Sequence, residues 1–152
     1  MEYSQCLSRL QRLCSRAEYC SADIYRKALK DLEGDGEAAS RVLASLREDR
    51  YVDDARYAAT FAREKASLQG WGPVKIRFQL RGKGISEADI SAALTEVDAG
   101  KADARLEKLL QEKLRTLDGD PQWKLKLIKY ALSRGYEYGI VEAALAHMNN
   151  LY

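Results

Sequence analysis

Groups that could do enzyme chemistry are sparse in this chain, while groups that could bind charge are bunched. There is one histidine, His147, and there are three cysteines, Cys6, Cys14 and Cys20, with no Cys-x-x-Cys spacing. A zinc site or a histidine-based triad has almost no material to work with. Gly82-Lys83-Gly84 resembles a phosphate loop only superficially. That loop needs a glycine where Arg77 stands and a Ser or Thr where Gly84 stands. Gly70-Trp71-Gly72 is followed by Lys75, not by the third glycine of a dinucleotide loop. Asp53-Asp54 has no histidine or further carboxylate close by in sequence, so helix capping explains the pair better than a metal does. No catalytic residue, cofactor or metal is expected.

The basic residues are different. From Arg63 to Lys83 there are six cations (Arg63, Lys65, Lys75, Arg77, Arg81, Lys83) and one acid, Glu64. The run reads either as a solvated helix surface or as a contact surface for phosphates or an acidic protein, and its shortage of acids favours the second, because a surface that serves only solubility usually mixes both signs. Helical geometry places Arg77 and Arg81 on one stripe, about 100° from a stripe made by Ile76 and Leu80. Lys101, Arg105, Lys124, Lys126, Lys129 and Arg134 form a second, weaker group. Trp71 and Phe78 either pack inward, the preferred reading, or add an aromatic surface beside the cations. The chain as a whole carries only +2, from 25 basic and 23 acidic residues, so a globally basic, histone-like binder is excluded.

Helices must position these charges, because strand signals are scarce and apolar residues recur at helical spacing. At 152 residues the chain has the size of one domain. Leu7, Leu10 and Leu13 with Cys6 and Cys14 mark a first helix. Ser21 can cap a second, carrying Ile24, Tyr25, Ala28 and Leu29. Ala39, Val42, Leu43 and Leu46 mark a third. Asp53 caps a fourth with inward Tyr57, Ala58, Phe61, Ala62 and Leu68. Gly72-Pro73 starts a helix that Gly84 ends, and Ser86 with Asp89 opens the next as a weakened capping box. Gly100 separates a last third with Leu106, Leu109, Leu110, Leu114 and Leu117. Asp118-Gly119-Asp120-Pro121 stops one helix there and starts another, Gly135 ends that one, and Ile140, Val141, Ala144, Leu145 and Met148 mark the final helix.

One plan recurs three times at a period of about 51 residues. Leu29, Leu80 and Ala131 fall in register, as do Leu43, Leu94 and Leu145, and Gly84 matches Gly135. Glu33 stands where the register asks for glycine, so the break is expected to slip to Gly34 and Gly36. Glu137 replaces Ser86 in the last copy. A regular period of this kind implies stacked units that bury their faces on one another. The fold class expected is all-α, with three tandem three-helix repeats in an elongated, curved, solenoid-like array. The repeats run over about 1–50, 51–98 and 99–152 of a single 1–152 domain.

No apolar run approaches the ~18 residues of a membrane span, and Met1-Glu2-Tyr3-Ser4-Gln5-Cys6 is unlike a signal peptide. A cytoplasmic location is expected, with the three cysteines reduced in the core.

Two stretches resemble the RecX family of bacterial RecA regulators. Tyr51-Val52-Asp53-Asp54-Ala55-Arg56-Tyr57-Ala58-Ala59-Thr60-Phe61 is similar to the family's "Y-hydrophobic-D-D-x-R-aromatic-A-x-x-aromatic" run. Gly72 to Ser86 is similar to its "G-x-x-x-I-x-x-x-L-x-x-K-G-I-S" run. The flanks agree in helical plan and in Arg134-Gly135-Tyr136. The resemblance implies three three-helix repeats, binding to the RecA–DNA filament, and inhibition of RecA's recombinase, ATPase and co-protease activities in recombination, DNA repair and the SOS response. It does not imply an enzyme.

The contact residues expected are Arg56, Arg63, Lys75, Arg77, Arg81, Lys83, Lys124, Lys126 and Arg134. The partner expected is the RecA nucleoprotein filament, with single- or double-stranded DNA left open as a second, and the protein is expected to be a monomer. Two alternatives are a direct duplex-DNA binder and a non-catalytic adaptor. The 86–97 helix, with Glu87, Asp89 and Glu96, is a poor major-groove reader.

Overall fold

The computed structural model describes residues 1–97 and 101–151, the side chains of 150 and 151 excepted. Among the described residues the chain is all-α, with nine helices and no strand. They are α1 (Tyr3–Cys14), α2 (Ser21–Asp31), α3 (Gly36–Glu48), α4 (Asp54–Gln69), α5 (Pro73–Gly82), α6 (Glu87–Val97), α7 (Ala102–Arg115), α8 (Trp123–Ser133) and α9 (Tyr138–Leu151). The break expected at Gly100 lies outside the described residues.

Contacts divide the chain into two compact units. The first holds Met1–Thr60 and Leu80–Ala92, and the second holds Phe61–Gln79 and Ala93–Tyr152. In the first unit Cys6, Leu10 and Cys14 of α1 meet Ile24 and Ala28 of α2 and Ala39, Val42 and Leu46 of α3, with Val52 closing the core. In the second, Leu106 and Leu110 of α7 meet Leu127 and Ala131 of α8, Tyr136, and Val141, Leu145 and Met148 of α9. Along α4 to α6 the buried positions are Ala58, Ala62 and Ala66, then Ile76 and Leu80, then Ile90, Ala93 and Leu94. These are the apolar stripes that helical spacing predicts.

The repeat is visible in how its helices stop. The N–H of Glu33 bonds to the Lys30 carbonyl, that of Gly84 to Arg81 and that of Gly135 to Leu132. One residue on, Gly34 bonds to Leu29, Ile85 to Leu80 and Tyr136 to Ala131. These are the paired bonds of a Schellman stop, set 51 residues apart (33 to 84, 84 to 135). All three stop residues are left-handed, at φ 55°, 76° and 97°. The first is therefore at Glu33, where the register asks for glycine, and not only at Gly34 beyond it. The backbone keeps the plan although the residue does not suit it, because a side chain in this region crowds the following carbonyl.

Some starts and faces differ from expectation. Ser21 does not cap α2. Its own N–H donates to Asp54 Oδ1 at 2.8 Å, and its buried Oγ has no partner among the described residues. A carboxylate from a distant part of the chain thus supplies the cap, while the neighbouring Asp53 caps α4 by accepting from the Arg56 N–H at 3.0 Å. Asp35 caps α3, and Ser86 Oγ accepts from the Asp89 N–H. The start of α8 comes after Pro121, at Trp123, and Asp120 accepts from the Gln122 N–H just before it. Leu68, Leu114 and Ile140, expected inside, are exposed: Leu68 lies two residues from Ala66 on the far side of α4, Ile140 lies about 100° round α9 from Val141, and Leu114 continues the Leu106–Leu110 stripe but stands 36% exposed on the last turn of α7. Phe78, also expected inside, is 73% exposed. It lies two residues from both Ile76 and Leu80, on the opposite side of α5.

Candidate functional site

The expected contact cations separate into two chemical settings. In the first unit each sits against a carboxylate. Arg56 leaves the first turn of α4, where Asp53 caps the helix, and its Nε donates to Glu18 at 2.8 and 3.0 Å. Its Nη2 donates to the carbonyls of Arg50 and Tyr51, closing the end of α3. The bond to Glu18 raises the Arg56 pKa above its ordinary value. Lys83, just before the Gly84 stop, reaches Asp23 on α2 at 3.0 Å. Burial pushes the Asp23 carboxyl up, but hydrogen bonds from Lys83 and Cys20 and the charges of Lys83 and Arg26 outweigh it and hold the pKa below the usual carboxylate value. Arg81 pairs with Glu87. Arg9 is held the same way by Asp31.

In the second unit several cations rest on aromatic rings instead. Lys65 Nζ lies 4.8 Å and Lys75 Nζ 4.4 Å from the centre of the Trp71 ring, and Phe61 meets that indole edge-on at 6.0 Å. The Tyr130 ring carries Lys113 at 4.9 Å and the Arg134 guanidinium at 5.2 Å. An aromatic face orients a cation without cancelling its charge. No ion pair engages these four among the described residues. The totals agree: the first unit has 12 basic and 13 acidic residues, net −1, and the second 13 and 10, net +3, together the chain's +2.

A close joint brings the two ring groups' segments together. The Gly72 N–H bonds to the Arg134 carbonyl at 2.7 Å, and the Val74 N–H to the Gly135 carbonyl at 2.9 Å. The open N–H groups of α5 are thereby satisfied by the carbonyls that end α8. A Cβ on Gly72 would fall on the Gly135 carbonyl, 2.7 Å from its carbon, and one on Gly135 would lie 2.6 Å from the Lys75 nitrogen. The Tyr136 hydroxyl, donating to the Gly70 carbonyl at 3.2 Å, closes the joint. Lys75 and Arg134, 59 residues apart in sequence (75 to 134), therefore flank one contact.

The remaining candidates are more dispersed. Arg63 faces Glu96 at 3.5 Å with both side chains open to water. Arg77 is half-buried on α5. Lys124 is exposed on the first turn of α8, and Lys126 pairs with Asp120 at 2.5 Å. Lys65, Lys113 and Tyr130 are not among the expected contact residues, although Lys65 lies in the basic run. Tyr130 on α8 and Arg134 at its C-cap lie four apart, a helical cation–aromatic spacing readable in the sequence. Lys113 reaches the ring from α7, which no local spacing reports.

All three cysteines are free and buried. Burial first, then the nearby Asp31, pushes the Cys6 thiol up to about 11, so it is un-ionised at neutral pH. Among the described residues no group of three or more His, Cys, Asp or Glu side chains is placed to hold a metal ion, and no helix is long and apolar enough to cross a membrane.

Comparison with known proteins identifies the architecture. The family model for the second three-helix domain of RecX matches residues 53–94, from the Asp53 cap to Leu94 of α6. The regulatory protein RecX of Halalkalibacterium halodurans is 35% identical over 126 residues, covering 80% of this chain and 46% of the relative. That of Salmonella paratyphi A is 25% identical over 143 residues, covering 88% and 86%. The chain spans about half the length of the Halalkalibacterium halodurans and Oceanobacillus iheyensis relatives, at 46% and 45%. A crystal structure of regulatory protein RecX superposes with a TM-score of 0.84 at 27% identity, over 95% of this chain and 71% of that one. The relatives are named as regulatory proteins rather than as enzymes. With its helical repeat, its 51-residue register of helix stops and these matches, the chain is similar to RecX regulatory proteins over most of its length, and its residues 53–94 match the second three-helix domain of that family.

Proposed function

We propose that this protein is a non-catalytic regulator that binds RecA filaments on DNA and holds down their ATPase, strand-exchange and co-protease activities. It would act as a cytoplasmic monomer, as one domain of three repeats over about 1–50, 51–98 and 99–152. The similarity to proteins named regulatory protein RecX supports the class of function. The observation that carries the contact surface is the four cations parked on Trp71 and Tyr130 without carboxylates. Charge left uncancelled on a rigid ring steers and pairs with carboxylates or phosphates, whereas Arg56, Arg81 and Lys83 already have carboxylate partners. Lys65, Lys75, Lys113 and Arg134 are therefore the leading contacts, with the exposed Lys124 on the same unit, while Arg63, like Arg56, faces a carboxylate.

The test is ATP turnover by preformed RecA–single-strand filaments. Sub-stoichiometric protein slows it, and Lys75→Glu with Arg134→Glu removes most of the slowing while the protein stays folded. Unchanged turnover at saturating wild-type protein would discard the reading. Unchanged inhibition by the double variant would move the surface elsewhere.

A further inference from the structure

α5 carries a second binding feature that the cations do not account for. Val74 and Phe78 lie one turn apart on one stripe, opposite the buried Ile76 and Leu80. Val74 is 46% exposed and Phe78 73%. One of the chain's two phenylalanines thus stands in water on a helix with an adequate core stripe of its own. The setting is not random. Of the eleven large apolar side chains exposed among the described residues, nine belong to the second unit and only Met1 and Tyr3 to the first. Pro73–Gly82 contains Lys75, Arg77 and Arg81 and no acid.

We infer that Val74 and Phe78 form an apolar ridge that seats in a hydrophobic, acid-rimmed pocket on the protein lattice of the filament, not on its DNA. The inference rests on the filament reading above and names which component of the filament α5 meets. Three observations favour protein. An exposed aliphatic and an aromatic side chain at i, i+4 make the anchor pattern of a helix laid in an apolar groove. Valine has no π-face and gains nothing from a base. Trp71, the larger ring nearby, is already covered by Lys65 and Lys75 and met edge-on by Phe61, so it offers Phe78 no second open ring for a run of bases. Lys75, held over Trp71 with no carboxylate partner among the described residues, sets an acidic rim for the pocket, whereas Arg81 is already paired with Glu87. Cations would govern the rate and salt dependence of encounter, and the ridge would govern how long the complex lasts.

The experiment measures equilibrium binding to preformed RecA–single-strand filaments, bare single strands and bare duplex, from about 50 to about 300 mM salt. Phe78→Ser weakens filament binding about thirtyfold, the size of a central anchor's loss, with the salt slope and bare-DNA binding unchanged. Val74→Ser has a smaller effect in the same direction, and Phe78→Leu keeps most of the affinity. Because both side chains face solvent, the urea midpoints of the variants match the wild type.

Filament affinity of Phe78→Ser within about twofold of wild type overturns the ridge alone. An equal loss on bare single strands makes Phe78 a base-stacking residue and overturns the protein assignment. A wild-type dimer in sedimentation that Phe78→Ser dissociates makes the ridge a self-contact instead. Wild-type protein that does not bind filaments at all overturns the underlying reading, and the ridge with it.

Discussion

The starts of α2 and α5 are the same place in two copies of the repeat, 51 residues apart (Ser21 and Gly72), and they are closed in different ways. At α2 the Ser21 N–H donates to the Asp54 carboxylate, and a Cβ on Gly84 would meet only the Ala22 Cβ, at an ordinary 3.9 Å. At α5 the N–H groups of Gly72 and Val74 donate to the backbone carbonyls of Arg134 and Gly135, and neither glycine has room for a Cβ. The residue 51 positions beyond Asp54 is Arg105, which can only donate and does so to the Val97 carbonyl at 2.9 Å. A side-chain cap holds two helices at a comfortable distance. A main-chain cap needs direct backbone approach and therefore glycine on both sides.

The strongest way to break this comparison is to put a methyl on each stop. Gly135→Ala must bear both the left-handed backbone and a collision with the Lys75 main chain, and is expected to lose about 3–5 kcal/mol in urea unfolding. Gly84→Ala bears only the backbone cost, about 1–2 kcal/mol. Equal losses would mean that the tight joint yields more readily than its geometry implies. Next in size is the side-chain cap. Asp54→Ala leaves the Ser21 N–H without its acceptor and costs about 1–2 kcal/mol. Arg105→Asp, which moves the carboxylate to the matching place, gains no stability because the Gly72 N–H is already satisfied.

Glu33→Gly sharpens the comparison in the other direction. It gives the first stop the residue that the other two have, and should raise stability by about 1 kcal/mol or less. The smallest effect is on pH dependence. The Asp23 pKa is held below 3.8 in the folded state. Its contribution is therefore complete above 3.8 and fades as pH falls through the lowered folded value. Asp23→Asn should lower the urea midpoint at neutral pH and flatten its decline in acid, while the second unit's joint, which has no carboxylate in it, is unaffected.

The sequence was informative wherever the deciding residue is local. Gly84 and Gly135 mark their stops, Asp53 caps the helix it precedes, and Ile76 and Leu80 name the buried face of α5 because each signal lies within one turn of its effect. It was silent where the partner is distant. Ser21 reads as a cap, and the acceptor that its N–H uses comes from Asp54, 33 residues on. Gly72 reads as a helix start, and nothing near it tells that Gly135 lies against it.

The candidate site divides along the same line. The run from Arg63 to Lys83 marks the cations, but their carboxylate or aromatic company is a tertiary fact. Lys83 and Lys75 look alike in sequence; one is neutralised by Asp23 and the other sits over Trp71. Phe78 reads as inward on hydrophobicity alone, although its distances of two from Ile76 and Leu80 put it on the opposite side of α5.

The Gly72–Gly135 joint has no room for compensation. In most packed contacts an enlargement on one side can be relieved by trimming the other. Here both partners are already the smallest residue, and much of what stands in the way is main chain, which every substitution retains. The contact can be kept whole, or abandoned by rebuilding the loops around it, but it cannot be retuned one residue at a time. Lys75 and Arg134, carried on its two sides, inherit that fixity: their side chains can vary freely while the spacing between their backbones cannot.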